Sequence, residues 1–148
     1  MIRQPSRILA AGLVVFSLGT AAAAQPSGDG RQAVALGPEH QAMVLKEMRT
    51  MLESVQGILA GLSAGDREGA AEAASRAGMG MARGMPPALK TALPADFRRL
   101  GMRTHRGFDE LAVAIRQGEG QDMILDRLSE HLTNCTGCHS AYRVTGKE

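Results

Sequence analysis

Near the end of the chain stands LTNCTGCHSAYR, Leu132 to Arg143, which holds both of the protein's two cysteines. Cys135 and Cys138 lie three residues apart, and His139 follows four residues after Cys135. On a helix, positions three and four apart share a face, so this spacing lines up two thiols and an imidazole. Three chemistries suit such a set. The thiols could cycle with a disulfide, as a C-x-x-C reductase does, but that use asks for a βαβ setting and the flanking pattern is helical. A zinc site would need a fourth donor; His131 is in range, yet C-x-x-C with one helical histidine makes a poor tetrahedron. The third is the C-x-x-C-H attachment sequence of haem c, in which two thiols add to the vinyl groups on one edge of a porphyrin and the histidine turns to the iron. The expectation is therefore one covalently attached haem c per chain, with Cys135 and Cys138 as thioether anchors and His139 as the proximal iron ligand.

The elements that must carry these residues begin after a leader. Arg3 and Arg7, an apolar run from Ile8 to Leu18 and small residues through Ala24 predict a cleaved signal peptide over 1–24. The run is too short to remain as a membrane span. Formal charge is +2 for the chain, and removing the two leader arginines brings it to zero, which gives no electrostatic footprint for nucleic acid. Residues 25–37 read as a flexible lead-in rich in Gly and Pro.

From Pro38 the apolar residues recur at helical spacing: Val44, Leu45, Met48, Met51, Leu52, Val55, Ile58, Leu59 and Leu62. This first helix should end near Gly61 or Gly65. An Ala-rich helix follows from about Asp66 to Ala77, with Asp66 as N-cap. GMGMARGMPP, Gly78 to Pro87, should be a loop, followed by a short turn through Leu93. A third long helix starts at Pro94 to Asp96 and carries Phe97, Leu100, Thr104, Phe108, Leu111 and Ile115. The last runs from Gln121 through the cysteines to about Tyr142. No stretch shows sustained strand alternation. The pattern predicts an all-α fold over 38–146, an antiparallel four-helix bundle of up-down-up-down order with the haem near its C-terminus. Beyond the leader there are two Phe, one Tyr and no Trp, so a flat apolar cofactor would add bulk to a thin core.

A C-x-x-C-H on the last helix of such a bundle, followed by Ser140-Ala141-Tyr142-Arg143, resembles the class II c-type cytochromes, the cytochrome c-prime family and its low-spin relatives. The specific part of the resemblance is CTGCHSAYR; the remainder, about Pro38 to Arg143, matches in helix lengths, order and pattern. It implies a periplasmic protein without catalytic turnover, commonly a homodimer, that passes single electrons between redox protein partners. The alternative it implies is a five-coordinate haem protein that binds nitric oxide or carbon monoxide.

What the first helix presents to the far side of the iron decides between these. A thioether gives a six-coordinate iron and favours the ferrous state; an apolar residue leaves the position open. Met48, in the middle of the apolar stripe, is the expected distal ligand, with His105 and Met51 as alternatives, and Leu45 would correspond to the open form. Arg143 is a candidate to pair with a haem propionate, as are Arg103 and Arg106. Met79, Met81 and Met85 could suggest Cu(I), but no His or Cys nearby strengthens it, and methionines folded over a haem edge fit better.

Overall fold

The computed structural model describes residues 28–147, so the leader expected over 1–24 lies outside the described residues. The chain is mainly helical, in the order β1 Gln32–Leu36, α1 Pro38–Ala64, α2 Arg67–Arg76, α3 Met79–Gly84, α4 Pro87–Ala92, α5 Ala95–Arg116, α6 Gln121–Ala141 and β2 Tyr142–Gly146. Pro38 suits the first turn of α1, and Gly65 stops the helix in the left-handed conformation at φ 71°. Asp66 caps α2 by accepting from the Gly69 amide at 2.9 Å.

α1 packs on α2, α2 on α5, and α5 on α6. The α1–α2 approach is unusually close because small residues face each other. A Cβ on Gly57 would sit 2.7 Å from the Ala73 Cβ, and one on Gly61 would sit 2.7 Å from the Ala70 nitrogen. Ala70, Ala71, Ala73, Ala74 and Ala77 are all buried in this contact. With Ile58, Leu62, Phe108, Leu111, Ile115, Ile124 and Leu128 they form the larger core cluster. Each fully buried Leu, Ile or Phe contributes roughly 1.5–3 kcal/mol. The scarcity of aromatic bulk in this cluster is met by bringing backbones together.

Two segments depart from the sequence reading. Gly78 to Pro87, expected as a loop, contains the short helix α3. Its N-terminal amide on Met79 donates to the Asp109 carboxylate of α5 at 3.0 Å, a tertiary cap that no local pattern reveals. Part of the expected flexible lead-in is strand β1, which pairs in parallel with β2 from Gln32 opposite Tyr142 to Leu36 opposite Gly146. Val34 and Leu36 turn inward and are buried, while Ala33 and Ala35 are exposed, the alternation a half-buried strand requires. They anchor a second core cluster with Val44, Leu89, Leu93 and Phe97.

Other helix ends are tied across the fold. The Arg67 guanidinium donates to the Ile115 and Glu119 carbonyls at 2.8 and 2.7 Å, closing the C-terminal end of α5, and Arg116 pairs with Glu68 at 3.0 Å. These contacts satisfy carbonyls that a helix end leaves without partners.

Candidate functional site

Cys135 and Cys138 sit in the last two turns of α6, both as free, half-buried thiols. Burial pushes both thiols up from their ordinary range, and for Cys138 the neighbouring Cys135 adds to it. They stand at the C-terminal end of a helix, where burial favours the thiol over the thiolate. A C-x-x-C reductase needs the opposite, a thiolate stabilised by positive surroundings or a helix N-terminus.

Cys138 packs against the second core cluster, as do Met43 and Met48 from α1, Met85 from the segment between α3 and α4, and Tyr142 and Val144 from β2. Phe97 meets Tyr142 edge to face, with ring centroids 5.4 Å apart. The fold therefore sets Met48 and Cys138, residues ninety positions apart in the chain, against the same apolar cluster. His139 is exposed at the end of α6, and its carbonyl accepts from Arg31 at 3.3 Å. Met43 also lines a largely apolar cleft of about 300 Å³ with Met81, Met85 and Leu89, edged by Lys46 and Glu47.

Several residues named from the sequence are placed elsewhere. Met51 packs against the larger cluster beside Val55 and Leu132, away from the group that holds Cys138. His105 is 3 % exposed and fully engaged. Its Nδ1 donates to the Ala77 carbonyl at 2.7 Å, and its Nε2 meets a Glu47 carboxylate oxygen at 3.1 Å. Burial alone would disfavour the charged ring, but the Glu47 carboxylate and the Ala77 carbonyl outweigh it and hold the pKa above the ordinary imidazole value. With both nitrogens taken by acceptors, His105 ties α1, α2 and α5 together and has no lone pair for a metal. Arg143 pairs with Asp29 at 3.6 Å, and Asp29 is bound more closely by Arg31 at 2.7 Å. Arg143 Nε itself is buried without a hydrogen-bond partner among the described residues.

His131 is buried edge-to-face on Phe108, with ring centroids 4.5 Å apart. Burial lowers its pKa against a smaller opposing effect of Glu110, and its Nε2 has no partner among the described residues. Arg103 and Arg106 line a cleft of about 370 Å³ between α5 and α6, with Arg127, Glu110 and Glu130 on its walls. No group of three or more His, Cys, Asp or Glu side chains that could hold a metal ion is assembled among the described residues.

Sequence reasoning missed Glu47 as the partner of His105, and it missed the strand residues Val34 and Leu36. Glu47 lies seven residues before the buried Ser54 on the same face of α1, a faint signal. The alternation in Gln-Ala-Val-Ala-Leu was a clearer one. Comparison of the chain with protein-family models, with curated proteins and with solved structures finds no match.

Proposed function

We propose that the protein is an exported, periplasmic c-type cytochrome, an antiparallel four-helix bundle of α1, α2, α5 and α6 that carries single electrons between redox protein partners. The observation that supports this reading best is the shared apolar cluster of Met48 and Cys138. A C-x-x-C-H motif whose first-helix methionine packs against the same group of side chains has the parts of a six-coordinate haem site. The donor set fits the group: two unpaired thiols side by side, a neighbouring imidazole that faces solvent, and an apolar surround. Leu45, the residue that would cover an open iron, is 40 % exposed and lies outside that cluster, which favours the electron carrier over the gas-binding alternative.

Bound haem supplies a one-electron iron couple. Cys135 and Cys138 are the thiols that would anchor it through thioether bonds. His139 would supply an imidazole nitrogen to its iron and Met48 a thioether sulfur, whose soft donation would favour the ferrous state. Val44, Leu89, Leu93 and Phe97 exclude water, which limits solvent reorganisation when the charge changes.

The test is the visible spectrum of the exported protein, oxidised and reduced, with and without carbon monoxide. Sharp α and β bands unmoved by the gas are expected. Met48→Ala should convert the spectrum to high-spin and admit carbon monoxide, and His139→Ala should remove the native axial ligation. A wild-type protein that already binds carbon monoxide would transfer the reading to gas binding, and a colourless protein made alongside haem-attachment machinery would end it.

A further inference from the structure

The stretch Gly78 to Pro87 holds Met79, Met81 and Met85, and the electron-carrier reading gives none of them a role. The fold divides them. Met81 and Met85 stand four residues apart, where neighbouring side chains share a face, and both line the cleft of about 300 Å³ beside α1. Met79 does not line it, and its amide is held by Asp109. The sequence alone lacked a donor to complete the pair, and α1 supplies one in Met43, which lines the same cleft. Two elements distant in the chain thus bring three thioethers to one opening.

Among the described residues the other lining side chains offer no competing donor. Thr50 Oγ1 donates to the Lys46 carbonyl at 3.2 Å, and the Glu47 carboxylate is held by His105 at 3.1 Å. The Lys46 ammonium has no lone pair, and Leu89 is apolar and buried. Lys46 and Glu47 also cancel in charge, so an entering ion meets a neutral rim and a largely apolar wall. A divalent ion would keep most of its charge uncompensated there. A soft monovalent ion fits better, and thioether sulfur suits Cu(I).

Methionine also serves as core filler, but these three are half-buried around an opening, while the buried members of the adjoining cluster are Val, Leu and Phe. The cleft is not the place proposed for haem either. Neither Met48 nor Cys138 lines it, and Met43, five residues before Met48, stands roughly 140° away from it around α1.

We propose that Met43, Met81 and Met85 form a Cu(I) site of three thioethers, separate from the C-x-x-C-H motif. No ligand in it has to lose a proton, so acid leaves the binding intact. A thiol site behaves otherwise, because each cysteine must ionise before it binds.

The test uses the full exported protein, with any free thiol alkylated, dialysed anaerobically against Cu(I) stabilised by acetonitrile and ascorbate. One copper per chain is expected, with affinity at pH 5 within about 3-fold of that at pH 7. With methyl-labelled methionine, the signals of Met43, Met81 and Met85 should move, and those of the exposed Met102 and Met123 should not. Met81→Leu and Met85→Leu nearly conserve volume; each should lower affinity at least about 10-fold, and the pair should remove binding. Met79→Leu and Met123→Leu should stay within about 2-fold of the wild type. Absence of bound copper overturns the site, as does affinity that falls 10-fold or more, on the order expected of thiols, at pH 5. A loss with Met79→Leu equal to that with Met81→Leu also overturns it, by placing the ion on the linear stretch and not in the cleft. None of these outcomes depends on the haem spectrum, so the site and the cytochrome reading stand or fall separately.

Discussion

Gly61→Ala sets two known effects against each other on one residue. Within a helix the change gains about 0.8–1.0 kcal/mol of propensity. Against that, the new Cβ would lie 2.7 Å from the Ala70 nitrogen and 2.8 Å from both the Ala70 Cβ and the Asp66 carbonyl oxygen. Two of those atoms are backbone held in place: the Ala70 amide donates to the Asp66 carbonyl at 3.1 Å, and the Asp66 amide donates to the Gly61 carbonyl at 2.8 Å. They cannot rotate aside as a flexible side chain would, so α2 must shift bodily. Overpacking of this kind costs about 1–3 kcal/mol, and the rigid neighbours put it in the upper half, leaving a net loss of about 1–2 kcal/mol. For a domain of this size that is a fall in Tm of about 4–8 °C. Gly101→Ala is the matched control, a mid-helix glycine in α5 with nothing within 4 Å of the added Cβ. It should gain about 0.5–1 kcal/mol. Thermal unfolding followed by far-ultraviolet circular dichroism reads both. If the two substitutions raise Tm alike, the close α1–α2 approach is wrong.

The His105 tie should appear in the pH dependence of stability. Its folded pKa is raised above the ordinary 6.5, so its contribution is complete below pH 6.5 and is lost as pH rises through the folded value. The advantage of the wild type over His105→Gln in urea unfolding should therefore be widest below about pH 6.5 and shrink at higher pH; a gap that widens with pH would contradict it. Leu36→Ala should cost about 2–4 kcal/mol, since the side chain is fully buried under the strand pair. A loss below about 0.5 kcal/mol in the same assay would return residues 32–36 to the status of a loose tail.

Long periodic stretches made the four major helices legible, because Pro38, Gly65 and Asp66 mark ends with local chemistry and the apolar spacing marks faces. The motif on α6 was legible for the same reason, being a spacing argument within five residues. What could not be read was whatever depends on a distant partner. α3 exists because Asp109 caps it from another helix, and β1 because β2 lies beside it. His105 looked like a metal ligand for want of any local sign that Glu47 and the Ala77 carbonyl claim both its nitrogens. Gly61 looked like a possible helix end, and with Gly57 it is instead a surface on which Ala70 and Ala73 of α2 seat.

The strand pair carries one more consequence, in the order of events during folding. Gln32 meets Tyr142 across nearly the whole described chain, whereas each helix forms from neighbours in sequence. Closing so long a loop pays its entropy before any contact returns it. β1 and β2 therefore join last, after α6 has formed and while the segment immediately behind His139 is still loose. In that interval the two thiols stand on a finished helix whose exit has not yet been tied down. The final zipping of the chain's two ends then seats Tyr142 and Val144 on the cluster that Cys138 also packs against.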